Sequence, residues 1–375
     1  MSEGTDVVVI GAGPAGLAVG ACLRQAGLNF IMFEKADQVG SSWRRHYDRL
    51  HLHTVKRYSS LPFAPFPRDY PRYVPKNLMI EYLDTYAKHF DLRPRCGEAV
   101  LSVRRADDGW SVTTERSSVH APCVVVASGY NAEPVSRSDA KLAGFTGKVI
   151  HSADYRDAAP FAGQSVLVVG MGNTGAEIAL DLAESGARPT ISIRNGVHIV
   201  PRELFGLPIQ MVAMLATKML PLKANDMIFP PILDLVLGDL SKYGIKRPQR
   251  GILRQIRDAA KIPVIDVGTV RKICDSAIAV APAVASAAEA TVHFDGGRSE
   301  RFDSVILATG YRQNYQSFLP ADTVPGANGG NAGIYFVGYR NVVTGLLREI
   351  SIEAVRVAGD IARQQREKAA APKAG

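Results

Sequence analysis

The chain has 375 residues, 46% of them hydrophobic and 21% charged, with a mean hydropathy of 0.00. Such values exclude collagen-like, disordered and coiled-coil chains, and two domains are expected because single cores stop growing near ~250–300 residues. Lys and Arg outnumber Asp and Glu by 44 to 36, a net +8 that suits anionic ligands.

The first residues, MSEGTDVVVIGAG, show neither a basic n-region nor a cleavage site, so no signal peptide is read and a cytoplasmic protein is expected. The β-branched run Val7–Ile10 predicts a buried parallel strand that enters Gly11-Ala12-Gly13-Pro14-Ala15-Gly16. A helix is expected over Leu17–Gln25, stopped at Gly27, and a second strand over Asn29–Glu34. In that setting G-x-G-x-x-G is a dinucleotide fingerprint: one glycine turns, one admits the pyrophosphate, one lets helix and strand pack. Glu34 lies eighteen residues beyond Gly16, where a carboxylate accepts hydrogen bonds from the ribose of an ADP-type dinucleotide such as FAD.

A proline- and aromatic-rich loop follows, carrying Arg44, Arg45, Arg49, Lys56, Arg57, Arg68 and Arg72 among Tyr58, Phe63, Phe66, Tyr70 and Tyr73. It reads either as a solvated basic loop or as a carboxylate-attracting pocket wall. Nucleic-acid binding is not expected, since no nucleic-acid-reading fold accompanies the run. His46, His51 and His53 lack a completing carboxylate or thiol, so no metal site is expected.

The glycine pattern then returns. Val166–Val169 enters Gly170-Met171-Gly172-Asn173-Thr174-Gly175, with a helix expected over Ala176–Ser185 and a strand over Thr190–Arg194. Here the position of Glu34 is taken by Arg194, nineteen residues beyond Gly175. A guanidinium clamps a 2′-phosphate that a carboxylate would repel, so this site is expected to prefer NADPH; a solvated strand end is the alternative. The strand ends Ser128-Gly129 and Thr309-Gly310 echo each other as outward and return crossings.

The expected fold is therefore α/β, with two Rossmann-like domains: residues 1–160 and 300–375 bind FAD, and 161–299, inserted between them, bind NADPH. The apolar stretch 204–240 is too long for a strand connection and reads as a helical cap over the entrance, or as a dimer or membrane-surface contact. The run 206–222 is broken by Pro208, Lys218 and Pro221, so no membrane span is expected, while an oligomer stays open. An amphipathic helix is predicted over Leu346–Gln365, with Leu347, Ile350, Ala354, Val357 and Ile361 on one face and a frayed tail beyond Arg366. Cys22, Cys96, Cys123 and Cys274 form no C-x-x-C pair and are expected to be buried free thiols. That spacing excludes a paired-cysteine acceptor and leaves oxygen or an external acceptor for the electrons.

Between the two fingerprints, Phe145-Thr146-Gly147-Lys148-Val149-Ile150-His151-Ser152-Ala153-Asp154-Tyr155 fits F-x-G-x-x-x-H-x-x-x-Y. This pattern resembles the identifying motif of class B flavin-containing monooxygenases. Gly40-Ser41-Ser42-Trp43, Tyr47–His53, Asn131–Pro134, Val197–Glu203, Lys242–Pro248, Pro263–Gly268 and Gly345–Leu347 narrow the likeness to the YUCCA-type enzymes and their bacterial relatives. The chain departs from the plant pattern at Tyr130, Thr174 and Arg348–Ile350.

The resemblance implies an FAD- and NADPH-dependent enzyme that captures O₂ as a C4a-(hydro)peroxyflavin. It acts on a small-molecule arylpyruvate such as indole-3-pyruvate, giving indole-3-acetate as in auxin biosynthesis. N- or S-oxygenation, or NADPH oxidation without oxygen transfer, are the alternatives. It also implies cofactor contacts at Lys35, Gly40, Ser42, Trp43, Val100, Ser128, Gly129, His151, Thr309, Gly310, Gly338 and Leu346, besides the glycine loops. His53 aligns where an asparagine commonly lies near the flavin; it and Lys56 are the candidate catalytic residues, with simple packing as the alternative for His53.

Overall fold

The computed structural model describes residues 3–135, 140–325 and 333–370. Strand β1 (Val7–Ile10) is buried throughout, as a parallel strand covered on both faces must be. It feeds α1 (Pro14–Gln25), whose proline sits in the first turn, where its missing N–H costs nothing. Strand β2 (Phe30–Phe33), α2 (Ser41–Arg45) and α3 (Lys76–His89) follow. Antiparallel strands Val100–Ala106, Gly109–Thr114 and Ser118–Ala121 then lead to β3 (Cys123–Val126).

The chain next forms β4 (Lys148–His151), β5 (Ser165–Val169), α4 (Asn173–Glu184) and β6 (Arg188–Ser192). Helices α5 (Ile209–Met219) and α6 (Leu222–Leu237) occupy the apolar stretch expected to be a cap. Strands β7 (Ala279–Ala281), β8 (Ser304–Leu307) and β9 (Ile334–Phe336) and the long helix α7 (Leu346–Ala370) close the fold.

These strands form the two larger parallel sheets, ordered β9-β3-β1-β2 and β7-β6-β5-β8-β4. Strands β1 and β5, which carry the two glycine loops, lie inside their sheets, so each loop leaves the carboxyl edge between neighbours on either side. The first sheet draws on both ends of the chain and the second is inserted between them.

The expected boundaries at 160 and 300 require one correction. They put Lys148–His151 and Ser304–Leu307 in the first unit, yet β8 pairs with β5 on one side and β4 on the other. An apolar run specifies a buried strand but not the sheet it joins. The chain therefore leaves the first sheet after β3 and returns to it after β8, and near these crossings Glu133–Pro134 pairs antiparallel with Tyr311–Arg312. Thr309 Oγ1 donates to the Val135 carbonyl at 2.7 Å, tying the two crossings further.

In α7, Leu347, Ile350, Ala354, Val357 and Ile361 are all buried, as the periodicity predicts. The helix continues past Arg366 to Ala370, correcting the expected frayed tail there: Glu-Lys-Ala-Ala favours helix, and Pro372 follows just beyond. Residues 371–375 of that tail lie outside the described residues. Only Cys22 and Cys123 are buried; Cys96 is half-buried and Cys274 exposed, against the expectation for all four. No helix among the described residues is long and apolar enough to cross a membrane.

Candidate active site between the two glycine loops

At Gly11 (φ +105°) a β-carbon would press on the Ala127 carbonyl at 2.5 Å, and at Gly16 it would overlap the Gly11 carbonyl. The second loop repeats this: a β-carbon on Gly170 (φ +108°) would meet the Ala308 carbonyl at 2.7 Å, and on Gly175 it would overlap the Gly170 carbonyl. The middle glycines, Gly13 and Gly172, differ, since a β-carbon there would meet nothing within 4 Å. Each stands just before its helix, so both helix N-termini open onto free space, as an incoming pyrophosphate requires.

A cavity of about 820 Å³ starts at the first loop. Gly11, Gly13, Pro14, Ala15, Glu34, Lys35, Ser42, Trp43, His53, Ser128, Gly129, Asn173, Thr174, Gly338 and Leu346 all line it, so residues scattered over the whole sequence converge there. Glu34 is buried and its carboxylate accepts the N–H groups of Ala12 at 2.7 Å and Ala36 at 3.0 Å. An acidic, acceptor-only group so fixed beside an open helix N-terminus fits the ribose and pyrophosphate of FAD. Ser128 Oγ lies 2.7 Å from the Tyr339 hydroxyl, whose pKa burial pushes up to about 12.

Other expected residues support the site from outside the cavity wall. Gly40 (φ +63°) starts α2 and donates to the Ala12 carbonyl at 3.0 Å. Val100 begins its strand, and Thr309 and Gly310 lie in the return crossing. His151 is buried with Nδ1 accepting from the Ala153 N–H at 3.0 Å, and burial lowers its pKa. Gly170, Gly172 and Gly175 shape the second loop behind Asn173 and Thr174. Arg194 is exposed two residues past β6, without an ion-pair partner among the described residues.

The basic loop behaves differently from the pocket-wall reading. Lys56 does not line the cavity, because its ammonium donates to the carbonyls of Pro67 (3.2 Å), Arg68 (2.7 Å) and Tyr70. With its donors on loop carbonyls it holds that loop, which corrects its candidacy as a catalytic residue. Arg44 pairs with Asp84, Arg49 with Glu184 and Arg72 with Glu203. Phe66 and Tyr70 pack in the core beside Tyr82, so the aromatics are not the pocket wall. Of the seven cations only Arg45 reaches the cavity.

What replaces them comes from the stretch 204–240, which reads from the sequence as a cap without any of its lining residues being named. Ile209 and Ala213 of α5 and Phe229 and Leu233 of α6 form an apolar wall, with Gln210 of α5 set in it and Lys223 in the first turn of α6. Arg45 and Lys223 have no ion-pair partner among the described residues. Gln210 is buried; it accepts from the Val55 N–H at 3.1 Å and donates to the Thr344 carbonyl. Glu177, on α4, is buried and its Oε1 lies 2.5 Å from His53 Nε2. An acid among Ala176, Ile178, Ala179 and Leu180 is the signal that was available for it.

Comparison with known proteins agrees with this architecture. A family model described as flavin-binding monooxygenase-like matches residues 4–329. Indole-3-pyruvate monooxygenase YUCCA6 of Arabidopsis thaliana is 38% identical, the alignment covering 95% of this chain and 90% of that protein. YUCCA1 of Oryza sativa subsp. japonica is 39% identical over 96% and 92% of the two chains. Among solved structures, a flavin-containing monooxygenase from Stenotrophomonas maltophilia superposes with a TM-score of 0.72 at 22% identity, covering 97% of this chain and 99% of that one. An oxidized steroid monooxygenase bound to NADP gives 0.79 at 20% identity, over 98% and 87%.

Proposed function

The chain belongs to the flavin-binding monooxygenase-like family, and from that premise we propose that it oxidatively decarboxylates an arylpyruvate such as indole-3-pyruvate. It is a flavin monooxygenase, an oxidoreductase that uses FAD and NADPH. The reaction consumes NADPH, a proton and O₂; the 2-oxo acid loses its carboxylate carbon as CO₂, and the shortened acid, NADP⁺ and water leave. FAD, when bound, would supply the two-electron carrier between NADPH and O₂.

The residues divide that work. Gly13 and Glu34 would hold the FAD pyrophosphate and ribose, and Gly172 and Arg194 the NADPH phosphates. The observation that carries the reading is the cavity itself. It combines an apolar wall from Val200, Ile209, Phe229, Leu233 and Leu346 with Arg45 and Lys223, cations that have no ion-pair partner among the described residues. A flat aromatic acid needs both, a dry surface for the ring and a cation for the carboxylate. Helices α5 and α6 form the wall that excludes water from the reacting groups. The relatives named as indole-3-pyruvate monooxygenases, 38–39% identical over almost the whole chain, add support.

The test is a product assay over a panel of arylpyruvates, an amine and a thioether, with NADPH, acid and CO₂ counted. One acid and one CO₂ per NADPH is the expected result. Oxygenation of the amine or thioether with no acid formed would sink the decarboxylation reading. Hydrogen peroxide as the sole product would sink oxygen transfer altogether.

A further inference from the structure

His53 and Glu177 come from different nucleotide-binding units. His53 belongs to the loop after α2, and Glu177 to the second turn of α4, three residues past Thr174 in the cavity wall. The carboxylate is almost fully buried, 4% exposed at its side chain, and lies 2.5 Å from His53 Nε2. A carboxylate only accepts, so Nε2 carries the hydrogen. The Tyr47 hydroxyl, its own pKa raised by burial and then by this carboxylate, donates to Glu177 as well. The neighbouring His46 supplies no counter-charge, since burial, with Lys76, lowers its pKa to about 4. Glu177 itself does not line the cavity, whereas His53 does. Nδ1 of His53 has no protein partner among the described residues.

We propose that Glu177 is a positioning residue that fixes His53 in the Nε2–H tautomer, and so presents Nδ1 as an acceptor for an N–H group of a bound cofactor. A carboxylate behind an imidazole sets which ring nitrogen is available in front, the same logic by which outer carboxylates orient metal-bound histidines. Its position matters too: the pair links the helix of the NADPH loop to the flavin side of the cavity. Two cofactor groups have this chemistry, an N–H of the flavin ring and the carboxamide N–H of nicotinamide. The inference rests on the two cofactors alone, so it and the arylpyruvate reading can fail separately.

Glu177→Gln keeps the volume but can donate as well as accept, which frees the tautomer. ¹⁵N NMR of labelled, FAD-loaded enzyme at pH 8 should show the Nε2–H form of His53 in wild type and a tautomer mixture in the variant. If the donor is nicotinamide, NADP⁺ binding should weaken about tenfold, one ordinary hydrogen bond, with the flavin potential unmoved. If the donor is the flavin, its midpoint potential should shift while NADP⁺ affinity holds. An unchanged tautomer in Glu177→Gln, or a doubly protonated ring in wild type at pH 8, overturns the proposal. So does a free tautomer with affinity and potential both unmoved. Should Glu177→Gln not fold, His53→Ala must give the same cofactor effect, and its absence refutes the role.

Discussion

Gln210 and Val55 are joined inside the cavity wall, the amide oxygen of Gln210 accepting the Val55 N–H at 3.1 Å. The other end of the same side chain donates to the Thr344 carbonyl, so one buried residue ties α5 to the flavin-side loop and to the segment before α7. Gln210→Leu would leave the Val55 N–H unpaired, a cost of about 1–3 kcal/mol. A lower Tm is expected, together with more hydrogen peroxide per NADPH, because the wall proposed to exclude water would be loosened. Lower stability with unchanged coupling would limit Gln210 to a scaffold role.

The two glycine loops make a paired prediction. Gly16 and Gly175 each lack room for a β-carbon, which would overlap the carbonyl oxygen of Gly11 or Gly170. Gly16→Ala is expected to yield protein that does not retain FAD, colourless after gel filtration. Gly175→Ala should stay yellow but lose reduction by NADPH while dithionite still reduces it. Interchangeable phenotypes would contradict the assignment of one cofactor to each loop.

Arg194→Ala addresses the choice between NADPH and NADH. The guanidinium is exposed and free of ion pairs among the described residues, so its loss should cost the fold little. Removing charge-assisted hydrogen bonds worth about 1.5–3 kcal/mol should raise the KM for NADPH roughly 10–100-fold. The KM for NADH, which lacks the 2′-phosphate, should barely move. Equal effects on both would refute the clamp.

These residues also show what the sequence made legible. Local signals were sufficient for the glycine loops, Glu34, the strand–helix–strand units and the buried face of α7, because each is written in adjacent residues. The sheet joined by Ser304–Leu307 was not legible, since pairing partners lie far away in sequence. Nor was the fate of the basic loop: Lys56 and Arg44 look like ligand-binding cations until carbonyls and Asp84 are seen to occupy them. The stretch 204–240 reads as a helical cap, but which of its residues face the cavity, and the place of Gln210 between three segments, are long-range products of the same kind.

Glu353 gives a prediction with a definite sign. Its buried carboxylate accepts the N–H of Gly338, a cavity residue, at 2.9 Å. Burial raises its pKa above the ordinary 4.5, against the smaller opposing pull of that N–H and of Arg340 and Arg356. A carboxyl raised in the folded state contributes stability that is full below the ordinary value and lost as pH rises through the raised one. At pH 8 the native protein therefore holds a charge that the unfolded chain solvates better. Glu353→Gln keeps an acceptor for Gly338 and removes the charge, so it should raise Tm at pH 8. That gain should shrink as pH falls and vanish below about 4.5, where both states of the wild type are protonated. Thermal melts of the two proteins from pH 4 to 8 measure it, and a pH-independent difference would assign the effect to packing rather than to charge.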